Sequence, residues 1–260
     1  MNDTMGGPTM LIVDVEADWA GTEIRAIGEV LPVLVDLLDR ANASATFFVV
    51  ADLVDAVRPF LAPGGKHEVG SHSLTHARLR HADPNVVRTE VAVSKARLEA
   101  AGYVVSGFRS PFGSTAPTLL SELAHAGYRY DASRGPALPF GRGRGPAVVE
   151  SDHGVAQLTT GVLRDRITPA AMTWMRMASP WSRWWLPRTA RSLSCHLHDF
   201  LPDSHGWAAL PTPLRAFHRR GAGAPAWDLL EYVLTRPGTH FVTCSAYLDG
   251  TELGNPCTSL

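Results

Sequence analysis

Short apolar runs alternate with longer stretches of helical periodicity along most of this chain. Residues 10–13, Met-Leu-Ile-Val, are bounded by Thr9 and Asp14 and are too few for a helix, which suits a buried parallel strand. Across residues 27–40, Val30, Leu31, Val33, Leu34, Leu37 and Leu38 recur at helical spacing, and 45–50, Ala-Thr-Phe-Phe-Val-Val, then reads as a second strand. That is one βαβ unit. The alternation continues with a strand around 67–70, a helix over 84–101 ended by Gly102, and a strand over 104–109. A helix over 116–125 closed by Gly127 and a strand over 128–131 follow. Further strands are expected at 155–158, 192–197 and 240–244, the last preceded by a helix over 227–235. Repeated βα units predict a parallel sheet or barrel. Residues 135–146, rich in Gly, Pro and Arg, read as a loop. With no fixed-period repeat and no long linker, the expectation is a single α/β domain over 1–260 with its core at about 9–248.

Composition narrows the class. A chain of 260 residues with 45% hydrophobic and 19% charged positions can bury a substantial core and matches the size of one barrel. Lys plus Arg number 24 against 25 Asp plus Glu, a net charge of −1, so no global field favours nucleic acid or an anionic membrane. Only the short tract around Arg142 and Arg144 hints at a basic stripe, and a nucleic-acid partner is not expected. The first residues lack a basic segment followed by an apolar run, and nowhere do 18 uncharged apolar residues occur together, which reads as a cytoplasmic, soluble protein. Cys195, Cys244 and Cys257, an odd number without CxxC spacing, fit reduced thiols.

Three places supply candidate chemistry. At the first strand's end, Asp14 and Glu16 are two apart on an extended chain and share a face, with Asp18 following. Alone, this segment reads as readily as a solvated acidic loop. His72 and His76 are four apart, which on a helical turn lets both imidazoles bind one metal ion, although two surface histidines would look the same. Two histidines and one carboxylate leave positions open for water and substrate, as a catalytic site requires. Third, Arg109-Ser110-Pro111-Phe112-Gly113 places an arginine where a strand stops at a rigid turn, able to grip a carboxylate and keep it ionised.

In this order the segments resemble the polysaccharide deacetylase superfamily, carbohydrate esterase family 4. Asp14 to Asp18 resembles its first motif, residues 45–50 its Thr-Phe-Phe strand, His72 to His76 its His-Ser/Thr-x-x-His motif, and Arg109 to Gly113 its Arg-x-Pro-x-Gly motif. Residues 127–133 resemble its Gly-Tyr-x-Tyr-Asp-x-Ser segment and 240–243 its closing strand. The resemblance implies a single distorted (β/α) barrel. It further implies one divalent ion, zinc foremost with Co2+ or Ni2+ as alternatives, held by His72, His76 and an acidic residue. The adjacent Asp-Asp pair common in the family is missing, and the segment is closer to the Asp-x-Asp/Glu form of the intracellular branch. By that match Asp14 is the general base and Glu16 the metal ligand, with Asp18 as the rival ligand. Pro111, Phe112, Gly113 and Asp131 are implied at the substrate. The family's general acid is a histidine in a late strand, and strand alternation puts both His196 and His198 on one side, so either fits.

The implied activity is metal-dependent removal of an acyl group, N-acetyl foremost, from the amine of a sugar, natural-product precursor or other small molecule. Residues 172–188 concentrate four of the seven Trp among arginines. That composition suits a core-packing insertion or a contact between copies in a homo-oligomer. It equally suits a membrane surface carrying a lipid-linked sugar to be deformylated or deacetylated. A non-catalytic metal- or carbohydrate-binding relative would lack the base or the acid.

Overall fold

The computed structural model describes residues 7–18, 23–134, 148–150, 153–159, 161, 169–177, 191–203 and 210–251. Its framework is one sheet in which β1 (Thr9–Val15), β2 (Thr46–Val49), β3 (Glu68–Ser71), β4 (Gly107–Phe108), β5 (Tyr130–Arg134), β7 (Ala156–Thr159) and β8 (Ser192–His196) run parallel. In space the order is β6-β7-β5-β4-β3-β2-β1-β8, where β6 (Val148–Glu150) pairs antiparallel with β7 and β9 (Phe241–Val242) pairs with the start of β1. Among the described residues no ladder joins β8 to β6, so the sheet curls into an open, distorted (β/α) barrel.

Alternation along each strand divides the core. Leu11, Val13 and Val15 point outward and pack with Ile27 of α1 (Arg25–Glu29) and Leu31 and Leu34 of α2 (Leu31–Arg40). Met10 and Ile12 point inward and meet Phe48, Tyr130, Ala132 and Leu158. Each fully buried aliphatic or aromatic side chain of this kind contributes about 1.5–3 kcal/mol. Asp14 continues the inward row of Met10 and Ile12, which is how a carboxylate comes to stand inside the upper barrel.

The interior is narrow. A Cβ at Gly107 would lie 2.0 Å from the Tyr130 ring, so β4 passes that ring only because it carries no side chain there. Gly70 faces Phe48 in the same way, at 2.7 Å. The Tyr130 hydroxyl donates to Glu68 Oε1 at 2.8 Å, and Glu68 Oε2 accepts from Thr46 Oγ1 at 2.7 Å and the Ser245 amide at 3.0 Å, so polar groups at the barrel floor are satisfied.

Outside the sheet lie α3 (Val54–Val57), α4 (Pro84–Ala100), α5 (Leu119–His125), α6 (Met172–Met177), α7 (Thr212–Arg219), α8 (Ala224–Leu234) and α9 (Cys244–Asp249). Asp83 caps α4 by accepting from the Asn85 amide at 2.8 Å, with Pro84 opening the helix. The helix expected over 27–40 is divided, because Pro32 lacks an N–H and starts a new helix, α2. The strand expected over 104–109 shrinks to Gly107–Phe108, and Val104 lies exposed. Five elements were not foreseen: β6, the short helices α3, α6 and α9, and the polar helix α7.

In the 172–188 segment, α6 buries Met172, Met175 and Arg176 while Trp174 is 43% exposed, so Arg176 is not a wet surface charge. Residues 178–188, the 135–146 loop and Cys257 lie outside the described residues. Cys195 and Cys244 are buried free thiols. Among the described residues, no helix is long and apolar enough to cross a membrane.

Candidate active site

The candidate residues carried by the sheet emerge at or just past the C-terminal ends of its strands. Asp14 is on β1, Glu16 just past it, His72 just past β3, Arg109 just past β4 and His196 at the end of β8. Since β1 lies beside β8 and β3 beside β4, these ends are neighbours. In parallel α/β sheets the strand ends open onto the connecting loops, where side chains converge without disturbing the ladder.

Glu16, His72 and His76 each offer one donor atom, and these atoms lie within 4.8 Å of one another. Glu16 Oε2 contacts His76 Nε2 and lies 3.6 Å from His72 Nε2. The Nδ1 of His72 is 2.8 Å from the Arg109 carbonyl, an arrangement that fixes Nδ1 as the donor and leaves Nε2 with its lone pair toward Glu16. His76 Nε2 is buried with no hydrogen-bond partner beyond that carboxylate. Two imidazoles and one carboxylate, one imidazole already oriented from behind, are a donor set that fits a divalent ion such as zinc. Burial opposes the charge of Glu16, but the His72 and His76 imidazoles beside it outweigh burial and hold the carboxyl well below the usual range.

The two histidines do not share a helical turn. Residues 72–76 form an irregular bend in which Ser73 and His76 both take left-handed backbone angles, φ 67°. Such angles cost of order 1–3 kcal/mol and persist where surroundings impose them. Glu90 on α4 is the source: Oε2 accepts from the amides of Leu74 and Thr75, each at 2.9 Å, and Oε1 accepts from Thr75 Oγ1 at 2.5 Å. The Ser73 hydroxyl accepts from the His76 amide at 3.1 Å. Glu90 gave no sign in the sequence, being one acidic residue on a long surface helix.

On the other side of the cluster, Asp14 is buried and Arg109 Nε lies 2.9 Å from Oδ1 and 3.0 Å from Oδ2. Arg109 is itself anchored by Nη1 donating to the Ala132 carbonyl at 2.6 Å. Burial would push the Asp14 carboxyl up; the charges of Arg109, His72 and His196 reverse this and leave it lowered.

His196 and His198 are stacked, ring centroids 4.8 Å apart at 20°. Strand alternation is not what joins them: β8 stops at His196 and a 3-10 turn, Leu197–Phe200, carries His198. Their environments differ. His196 keeps 30% of its side chain exposed, with Nε2 3.5 Å from Asp14 Oδ2 and Nδ1 3.6 Å from Asp199 Oδ2. His198 is 6% exposed, with Nδ1 3.7 Å from Glu16 Oε1. Burial lowers both pKa values, but Asp199, Glu16 and Asp14 overcome it at His196 and push it up to about 9. At His198 burial and the charge of His196 bring it down to about 4.

Asp199 was missed in the sequence. Fully buried, it accepts at Oδ1 from Arg176 Nε at 2.9 Å and Thr173 Oγ1 at 2.8 Å, and at Oδ2 from the His196 amide at 3.0 Å. Arg176 in turn donates through Nη1 to the carbonyls of His218 at 2.8 Å and Arg220 at 2.5 Å.

Two expected residues go elsewhere. Asp18 is turned toward the start of α1, where its oxygens accept from the Ala26 amide at 3.3 and 3.4 Å, and it does not join the cluster. Asp131 is 1% exposed and held by the turn: Oδ1 accepts from the Ser133 amide at 3.0 Å and from the Ser133 hydroxyl, whose oxygen accepts from the Ser110 amide at 2.7 Å. It braces the turn that follows Arg109. In that turn Pro111 is buried while Phe112 and Gly113 are exposed with φ 59° and 60°, and the Phe112 ring lies 4.7 Å from His76.

Comparison with known proteins finds likeness over part of the sequence and over the fold. The family model for polysaccharide deacetylase matches residues 20–130, a span that includes His72, His76 and Arg109 to Gly113 but not Asp14, Glu16 or His196. A chitooligosaccharide deacetylase of Bradyrhizobium is 30% identical over 102 residues, 37% of this chain and 46% of the relative. The aligned stretch thus spans less than half of that relative's length. The Bc1960 peptidoglycan N-acetylglucosamine deacetylase superposes with a TM-score of 0.54 at 17% identity, covering 94% of this chain and 90% of that one. Puue allantoinase gives 0.59 at 14%, covering 95% and 91%. At such identities the structural likeness speaks for the fold alone. Residues 20–130 of this chain are thus similar to the polysaccharide deacetylase family.

Proposed function

We propose that this protein is a metal-dependent amide hydrolase that removes an acyl group, N-acetyl foremost, from the amine of a small N-acylated molecule such as an amino sugar. The observation that carries the reading is the placement of Asp14 and His196, 3.5 Å apart, beside the Glu16, His72 and His76 donor set. A non-catalytic relative would have no use for such a pair.

Glu16, His72 and His76 are the residues that would hold the ion, zinc by donor chemistry with Co2+ or Ni2+ as substitutes. When bound, it supplies Lewis acidity, polarising the acyl carbonyl and making water easier to deprotonate. Asp14, kept ionised by Arg109, takes that proton as water attacks the acyl carbon. His196, kept protonated by Asp199 and Asp14, gives its proton to the departing amine nitrogen. His198, neutral and buried, positions His196 by stacking and borders Glu16. Groups whose surroundings drive their pKa values apart divide acid and base roles in this way. The exposed Phe112 and Gly113 edge the opening through which substrate enters.

The test is amine release from N-acetyl and N-formyl amino sugars by the zinc-loaded protein, compared with Asp14→Asn. The reading expects release by the former and its near-complete loss in the latter. No release from any member of the panel would overturn it.

A further inference from the structure

We propose that a basic cavity beside the candidate metal cluster binds a phosphate group, so that the substrate is a phosphorylated N-acyl compound. This rests on the amide-hydrolase reading for the word substrate, though not for the binding itself. The cavity, about 590 Å³, is lined by Arg78, Arg80, His81, Ala82, Phe112 and Ser114. Its lining has two guanidinium groups and an imidazole and no carboxylate. Neither Arg78 nor Arg80 has an ion-pair partner among the described residues. In a chain of net charge −1, this concentration of unopposed positive charge is local.

Geometry ties the cavity to the site. Phe112 is their shared wall: its ring centroid is 4.7 Å from that of His76, and Arg78 Cζ lies 3.9 Å from the same centroid. The stacked guanidinium keeps its edge free to donate. The Arg80 amide donates to the Ser114 hydroxyl at 3.0 Å, pinning the 78–81 segment against the turn that carries Phe112. Phe112 itself is fixed at φ 59° although 57% exposed, a backbone cost with no core packing to offset it.

Two guanidinium forks in a concave site match the several acceptor oxygens and near-double charge of a phosphate better than the single charge of a carboxylate. The depression is open to solvent, with Arg78, Arg80 and His81 exposed along it, and its volume is large enough to seat a phosphate group. The phosphate can belong to a soluble sugar phosphate or to the headgroup of a lipid-linked sugar, and both present the same chemistry to the arginines.

Calorimetric titration of zinc-loaded protein with inorganic phosphate tests the cavity directly, since phosphate drawn to the metal is common to all variants. The Arg78→Gln, Arg80→Gln double variant is expected to bind about tenfold or more weakly than wild type, as loss of charge-assisted hydrogen bonds implies. The Arg78→Lys, Arg80→Lys pair, which keeps charge without the fork, is expected between the two. Equal affinity across all three overturns the proposal whatever hydrolysis shows. For the substrate, kcat/KM is compared for N-acetylglucosamine 6-phosphate and N-acetylglucosamine. A preference for the phosphorylated sugar that collapses in the glutamine variant assigns the soluble source. Cosedimentation with phosphatidylglycerol vesicles, lost in the same variant, assigns the lipid source. If both sugars release amine equally and vesicles are ignored, the link to substrate is refuted. If neither sugar is hydrolysed and phosphate still distinguishes the variants, it is the hydrolase reading that fails.

Discussion

His196 Nε2 stands 3.5 Å from Asp14 Oδ2, and the two residues are register partners on the adjacent strands β8 and β1. A parallel ladder therefore sets the spacing of the proposed acid and base, and backbone hydrogen bonds rather than loop contacts fix it. Each is backed by a separate partner of opposite charge, Arg109 behind Asp14 and Asp199 behind His196.

Replacing Asp14 by Asn removes the proton acceptor and keeps the shape. Turnover is expected to fall about 10²–10⁴-fold, with metal content unchanged by elemental analysis. Near-normal turnover would remove Asp14 from the role of base.

His196 must be protonated to act, so activity that depends on it is present below its pKa and is lost as pH rises through it. With that pKa pushed up to about 9, wild type is expected to show an alkaline fall in kcat. His196→Ala is expected to lose that fall and to suffer most with poor amine leaving groups. His198, at about 4, is neutral through the same range, and His198→Ala is expected to keep the alkaline limb. If His198→Ala loses it and His196→Ala does not, the roles are exchanged.

The buried Arg176–Asp199 pair makes a prediction about stability. Arg176→Leu takes the guanidinium from a fully buried carboxylate and leaves it only the His196 imidazole, which costs about 3–5 kcal/mol. Urea unfolding followed by far-UV circular dichroism measures it. Burial disfavours the charged Asp199, but His196, His198 and Arg176 lower its pKa, so this contribution is present above the ordinary carboxylate range and fades as pH falls below it. A change within experimental error would mean that the pair is not what holds the 3-10 turn carrying His198.

Glu90→Ala removes the acceptor that the 74–75 backbone uses, and His76 is then free to leave its strained angle. Zinc affinity is expected to fall about 10–100-fold, as with other groups that orient ligands from behind. Competition with a chromogenic chelator gives the number. Unchanged affinity would show that the bend holds itself.

What was legible in the sequence was what alternation and spacing encode. Met10 to Val13 announced a buried strand, and the step from Ile12 to Asp14 to Glu16 followed its pleat into the barrel. His72 and His76 were legible as a pair, but the reason for their meeting was not: helical spacing suggested a turn of helix, whereas the chain uses a strained bend held by a residue 14 positions beyond His76. Asp18 looked equivalent to Glu16 because sequence distance does not reveal that α1 begins close enough to claim its carboxylate. Arg176 and Asp199 were illegible for a similar reason, since a buried ion pair across 23 positions leaves no periodic trace.

The central claim is that hydrolysis depends on an ion held by Glu16, His72 and His76. Amine release from an N-acetyl amino sugar, measured before chelation, after chelation and after zinc is restored, tests it most directly. Activity is expected to vanish with the chelator and return with zinc in wild type, and not to return in Glu16→Ala. Hydrolysis that persists in metal-free protein, or that zinc restores equally in Glu16→Ala, would contradict the account.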